Sequence, residues 1–239
     1  MLDRIEESVA NERRLVDRAS HELRTPLAIQ RIDLDVALSG PPTVTELTNA
    51  LTSVSVENTH LTRLTEDLLV LSRARDGVLP VRLAEVPVPE LLEDARRRHG
   101  LLNGSGVQVA FQAPDCVVRV DAVWFRQAVD NLVDNALRHT PAGGRVEVRA
   151  GLDDGVLSVV VEDTGPGFDE ALLGTAFEPF VRSGGRDGHR GSAGLGLAVV
   201  STIARAHGGR VFAENPPQGG ARVTMEMNAR LTGDPPPGP

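Results

Sequence analysis

Lysine and tyrosine are absent from the 239 residues, and cysteine and tryptophan occur once each, as Cys116 and Trp124. Without lysine, no mechanism built on a catalytic lysine is available, the phosphate-loop NTPases included, because their loop needs that side chain on the phosphates. A single cysteine excludes an internal disulfide framework and fits a reducing compartment. Long apolar runs are also missing. The longest, Val156–Val161 and Leu195–Val200, fall far short of the roughly 18 residues that a membrane-spanning helix needs. The N-terminus, Met1 to Glu7, is charged throughout and does not read as a secretory signal. The chain as given is therefore expected to be soluble. Charge of one sign is not concentrated anywhere: the net charge is −8, shared evenly on the two sides of Asp76. With no basic face or tail, no nucleic-acid partner is expected. All 25 basic residues are arginine, which we read as the codon bias of a GC-rich genome.

What is present is ordinary globular material, 41% hydrophobic and 24% charged, in a length that allows one large domain or two small ones. Residues 2–38 predict one long helix, with apolar or small side chains at Ile5, Val9, Leu15, Ala19, Leu23, Leu27, Leu34 and Leu38. Pro26 interrupts it and predicts a kink, and Ser39-Gly40-Pro41-Pro42 ends it. A second helix is predicted from Val44 to Ala74, with Leu47, Leu51, Val54, Leu61, Leu64, Leu68 and Leu71 spaced by threes and fours, a coiled-coil period. Two such helices form an antiparallel hairpin that cannot bury its own stripe. Pairing two copies into a four-helix bundle does so, which predicts a homodimer through residues 2–74. The alternative is a hairpin packed on the rest of its own chain.

Asp76-Gly77-Val78-Leu79-Pro80 breaks this pattern and sets the expected domains at 1–76 and 77–231, with a Pro-rich disordered tail at 232–239. The second domain reads as α+β, a mixed sheet with helices on one face. Helices are predicted over Pro87–Gly100, Asp121–His139 (with Asp121 as N-cap) and Gly194–His207. Strands are predicted at Val107–Phe111, Val117–Val120, Arg145–Ala150, Val156–Glu162, Arg210–Glu214 and Arg222–Met227.

Four clusters carry chemistry. His21 and Glu22 sit in the first helix: a neutral imidazole is a nucleophile near neutral pH, and a neighbouring carboxylate can take its ring proton. Thr25, one turn on, could position a water. Asn131 and Asn135 share a face of the helix ending at Arg138 and His139. Asparagine costs helix propensity, and a neutral oxygen ligand for Mg²⁺ would explain it. Asp163 ends a strand and leads into Thr164-Gly165-Pro166-Gly167, where a carboxylate could accept from an exocyclic amine and glycine lets a flat ring approach. Gly191-Ser192-Ala193-Gly194-Leu195-Gly196-Leu197 opens the last helix and offers amides to an anion. Between them the polar Arg182–Arg190 stretch reads as a lid.

Taken in order, these clusters resemble the cytoplasmic catalytic half of bacterial two-component sensor histidine kinases over nearly the whole chain. Ser20–Leu27 is similar to the phosphoacceptor box, Asn131–His139 to the asparagine box and Asp163–Gly167 to the first glycine box. Phe177–Phe180 is similar to the phenylalanine box and Gly191–Leu197 to the second glycine box. The resemblance implies a dimeric helical bundle followed by a GHKL-type ATP-binding sandwich. It implies that His21 is phosphorylated from Mg²⁺-ATP, that Glu22 is its acid/base partner, and that the phosphoryl group passes to an aspartate of a response regulator. Glu22 with Thr25 matches the pattern with which family members dephosphorylate that regulator. Asn135 would ligate Mg²⁺ with Asn131 nearby, and Arg138 and His139 would lie by the phosphates. Asp163 would take the adenine amine beside Gly165 and Gly167, and Gly191, Gly194, Leu195 and Gly196 would serve the phosphate-side lid. One departure is Gly220-Ala221-Arg222-Val223 in the last strand, where no adenine contact is assigned. The first residues resemble a helix emerging from a membrane-proximal linker domain, which implies a cytoplasmic piece of a parent anchored in the bacterial inner membrane through an N-terminal sensor segment. The rival readings are a GHKL-type ATPase, a phosphatase-dominant regulator and a dimeric scaffold without catalysis.

Overall fold

The computed structural model describes residues 2–75, 79–101, 106–181 and 193–230. The compact units divide at Leu69/Val70, inside the second helix and ahead of the expected break at Asp76. The expected tail at 232–239 lies outside the described residues.

The first unit is built on α1 (Leu2–Leu38) and α2 (Val44–Arg75). Pro26 is buried inside α1, which continues through it as one helix. Having no N–H, Pro26 leaves the Glu22 carbonyl without its usual i+4 donor. The two helices run antiparallel: Gln30 Nε2 donates to the Val54 carbonyl at 3.4 Å and to Asn58 Oδ1 at 3.3 Å, and Ser53 donates to Asp33. Ala19, Ala37 and Leu64 lie buried in this unit, whereas Leu27, Leu34, Leu38, Leu47 and Leu51 remain at least 40% exposed.

The second unit has the expected α+β texture. A two-stranded antiparallel sheet pairs β1 (Ala84–Pro87) with β3 (Val117–Val120). Between them come α3 (Val88–Leu101) and β2 (Gln108–Gln112). The main sheet has the order β2-β4-β5-β7-β6, with β4 Arg145–Asp153, β5 Val156–Asp163, β6 Arg210–Glu214 and β7 Arg222–Asn228. β2 and β4 are parallel and the other neighbours antiparallel. Burial alternates along β5 and β7, as a half-buried pleat requires. Asp154 (φ 43°) and Gly155 (φ 73°) turn β4 into β5 through the left-handed pair that a two-residue hairpin needs. α4 (Ala122–His139) and α5 (Gly196–Ala206) bring Phe125, Leu132 and Ile203 into a core with Leu157 and Met225.

Three elements differ from expectation. β1 was not expected; its four residues pair only with β3, and Pro87 ends it. The glycine-rich stretch after β5 holds a short 3₁₀ helix, Glu170–Thr175, whose N-cap Asp169 accepts from the Ala171 amide at 3.0 Å. α5 begins at Gly196 rather than Gly194, because Gly194 has φ +68°, a left-handed conformation that a right-handed helix excludes.

Candidate functional site

His21 and Thr25 are exposed on α1, and Glu22 is half-buried beside them. Thr25 Oγ1 approaches the His21 carbonyl at 3.5 Å. A solvent-facing imidazole with a carboxylate next along the helix, one turn before a buried proline, is open to a partner domain.

The nucleotide-side residues gather in the second unit. Asp121 caps α4 as expected, its carboxylate accepting from the Val123 and Trp124 amides. The helix then presents Asn131, Asn135 and Arg138, all half-buried, and His139, which is exposed. Gly196 lies against Asn131: a β-carbon added there would come 3.6 Å from the Asn131 side-chain carbon. The start of α5 and the asparagine face of α4 are therefore neighbours.

Asp163 ends β5 at 6% exposure. Its Oδ1 accepts from the Gly165 amide at 2.8 Å and from the Ala221 amide at 3.3 Å, which commits that oxygen and leaves Oδ2 for a ligand. Burial pushes this carboxyl up from its ordinary value, against the pull of those two amides and of His139. Gly165 is packed so closely that a β-carbon would meet the His139 carbonyl oxygen at 2.5 Å, which joins the loop after β5 to the end of α4. Gly167 (φ +81°) needs its left-handed backbone, and a β-carbon there would meet Asn215 Oδ1 at 2.9 Å.

Asn215 was not expected from the sequence. Its side chain holds the Phe168 backbone by both groups, accepting from the amide and donating to the carbonyl at 2.8 Å each. The Asn-Pro-Pro turn at 215–217 was its one available signal. Gly220 and Ala221, to which no adenine contact was assigned, brace Asp163 from behind: a β-carbon on Gly220 would lie 1.8 Å from the Asp163 carbonyl oxygen. Next to Asp163, Glu162 is held below the ordinary carboxylate value. Its burial acts upward, but the hydrogen bonds from Arg222, Gln218 and Arg149 outweigh it. A cavity of about 210 Å³ opens beside Asp163, lined by Arg145, Glu147, Gln218 and Gly219 among others. Asn131 and Asn135 do not line it, and it is smaller than the roughly 300–1,000 Å³ of small-molecule sites.

The structure thus brings together Asn131, Asn135, Arg138, His139, Asp163, Gly165, Gly167 and Gly196 in one unit and leaves His21, Glu22 and Thr25 in the other. Gly194 and Leu195 fall outside the second unit, which resumes at Gly196. Gly191 lies outside the described residues. Among the described residues no group of three or more His, Cys, Asp or Glu could hold a metal ion, so a cation at Asn135 would take its other ligands from phosphate and water. The half-buried amide of Asn135 suits that limited part.

Two family models match. Residues 11–77 fit the His Kinase A (phospho-acceptor) domain, and residues 120–231 fit the histidine kinase-, DNA gyrase B- and HSP90-like ATPase. These define a phosphoacceptor hairpin joined to an ATPase of that fold. The chain belongs to the bacterial two-component sensor histidine kinases, of which it carries the catalytic core. It is 37% identical to the signal transduction histidine-protein kinase BaeS of Escherichia coli, over 87% of this chain and 45% of that protein. It is also 37% identical to the sensor protein CutS of Streptomyces coelicolor, over 95% of this chain and 56% of that protein. The chain spans about half the length of these relatives. Among solved structures, the Acinetobacter baumannii histidine kinase AdeS superposes with a TM-score of 0.69 at 26% identity, over 88% of this chain and 98% of that one. Among the described residues, no helix is long and apolar enough to cross a membrane.

Proposed function

We propose that the chain phosphorylates His21 from Mg²⁺-ATP and passes the phosphoryl group to an aspartate of a response regulator. The observation that carries this reading is the pairing of an exposed His21–Glu22 on α1 with a second unit in which Asp163, Gly165 and the α4 asparagines are drawn together. A ring nitrogen of His21 attacks the γ-phosphorus. The new N–P bond forms as the bond to the β-phosphate oxygen breaks, ADP leaves, and Glu22 takes the ring proton. Positioning does most of the work, since phosphoryl transfer asks for alignment and charge neutralisation. Asn135, with Asn131 beside it, would hold Mg²⁺, which offsets charge on the phosphates when bound. Oδ2 of Asp163 would accept from the adenine amine, and Arg138 and His139 would lie toward the phosphates. The lid residues Gly191, Gly194 and Leu195 would close over them.

The same reading places the domain division at 1–76 and 77–231 and pairs two chains through residues 2–74. A solved structure of the histidine kinase ThkA in complex with the response regulator protein TrrA shares the fold, with a TM-score of 0.69 at 21% identity. A receiver domain is the matching partner for His21. Relatives named histidine-protein kinase/phosphatase, at 36% identity, support a second activity, with Thr25 placing water for hydrolysis of the regulator's phosphoaspartate. The membrane would be reached only through a segment preceding α1.

Incubation with γ-labelled ATP and Mg²⁺ tests the proposal. Acid-labile, base-stable label should appear on the wild type and vanish in His21→Gln. Label that survives the substitution would move the phosphoacceptor elsewhere.

A further inference from the structure

The residues leading into β1 are tied down. Leu79 is 2% exposed. The Pro80 carbonyl accepts from Trp124 Nε1 at 3.0 Å, and the Arg82 amide donates to Asp121 Oδ2 at 2.7 Å. Oδ1 of the same carboxylate caps α4, accepting from the Val123 and Trp124 amides at 3.0 and 3.2 Å. The Asp121 amide donates to Nε2 of buried His207 at 3.1 Å. The other ring nitrogen of His207 then carries its proton, and donates to the Ile203 carbonyl at 2.8 Å. An N-cap is complete with Oδ1 alone. The second carboxylate oxygen and the indole N–H instead bind the segment that enters from the linker. The helix that receives them is the one that carries Asn131 and Asn135.

We infer that Asp121 and Trp124 are positioning residues for phosphoryl transfer: they strap residues 79–82 to the start of α4 and so fix the tether between α2 and the nucleotide-binding unit at residues 76–78. This rests on the reading of His21 given above. The strap matters because of reach. Three residues span at most about 10 Å, whereas release of the segment up to β1 would make the tether eight residues, about 28 Å. In the hairpin register, Gln30 faces Val54 and Asn58, which puts His21 near the level of Leu64. That is about 15 Å above Arg75 along the helix. The concentration of one tethered group around another falls roughly as the −3/2 power of tether length, so going from three to eight residues dilutes the ATP site around His21 about fourfold.

Asp121→Asn separates capping from strapping. Asparagine caps as well as aspartate, so its oxygen stays on the Val123 and Trp124 amides. Its NH₂ then meets the Arg82 N–H, donor against donor, and the segment is released. In the full chain, the initial rate of His21 labelling at saturating ATP should fall about fourfold, while affinity for a non-hydrolysable ATP analogue stays within about twofold. Trp124 is the sole tryptophan, and its emission should shift to the red as the indole loses Pro80 and meets water. A five-residue Gly-Ser insertion after Asp76 should slow wild-type labelling about fourfold but slow Asp121→Asn only about twofold, because that tether is already long.

Three results would overturn the inference: analogue affinity that falls in step with the rate, an insertion that leaves the wild-type rate unchanged, or equal slowing by the insertion in both backgrounds. Absence of label in the wild type would overturn the His21 reading and the positioning role with it, and the emission shift would still report the strap by itself.

Discussion

At the scale of single residues, Asp163 shows how the fold and the ligand divide one side chain. The Gly165 and Ala221 amides both fall on Oδ1, so the fold needs an acceptor there and nothing more. The proposed adenine amine needs a second acceptor. Asp163→Asn keeps the first and removes the second, because the oxygen stays with the amides and the NH₂ then faces the ligand's own donor. Adenine nucleotides should bind at least about tenfold more weakly, the cost of an unmatched buried polar pair. Stability should move the other way. Burial raises the Asp163 carboxyl from its ordinary value, and a folded-state value above the unfolded one means that ionisation costs stability as pH rises. Asp163→Asn should therefore unfold at or above the wild-type temperature at pH 7. That advantage should shrink as pH falls into the ordinary carboxyl range, where Asp163 is protonated in both states. Thermal melts at several pH values, set beside nucleotide titrations, check both halves. A variant that binds normally would remove Asp163 from the nucleotide site.

Residue types and spacing made His21, Glu22, Asn131, Asn135 and Asp163 legible in the sequence, because each breaks a local expectation: asparagines inside a helix, a carboxylate at a strand end, a proline one turn past a histidine. Asn215 and the Gly220–Ala221 brace were not legible. Their role is to hold residues some 47 and 58 positions away in the chain, and nothing local marks that partnership.

Elements were read well where periodicity runs long and poorly where a single torsion decides. The two long helices and β6 emerged from pattern alone. The start of α5 did not, since a left-handed Gly194 is invisible in a string of glycines. The start of α2 shows a local signal passed over. Thr43-x-x-Glu46 forms a reciprocal capping box: the Thr43 amide donates to Glu46 Oε2 at 2.8 Å, and the Glu46 amide donates to Thr43 Oγ1 at 3.3 Å. The same bonds hold the Glu46 carboxyl below its ordinary value. Coming straight after Pro41-Pro42, this cap decides where the hairpin turns. Thr43→Ala should cost about 1 kcal/mol of helix stability, seen as a lower urea midpoint for loss of helical dichroism. Thr43→Ser should restore most of it. A midpoint unchanged by alanine would mean that the loop is held by other contacts.

For the whole molecule, the open question of packing is the face that one hairpin leaves bare. Leu47 and Leu51 belong to the three-four stripe of α2, yet they stay 40% and 65% exposed, and Leu34 and Leu38 on α1 stay 41% and 78% exposed. An open groove of about 600 Å³ runs beside the turn, lined by Val36, Ala37, Pro41 and Ala50 among others. Apolar area left in water forgoes roughly 25 cal/mol for each Å², and two helices alone cannot enclose a core. A second hairpin laid on this stripe completes four helices and fills the gap. Sedimentation of the wild type at micromolar concentration should therefore give twice the 25.5 kDa chain mass, with a urea midpoint that rises with concentration. Leu51→Glu places a charge in the shared core and should return the single-chain mass. Its nucleotide affinity should be unchanged, because residue 51 lies in the other compact unit from Asn135 and Asp163. A wild type that sediments as one chain across the range would show that the stripe is covered in another way, and the four-helix bundle would fall with it.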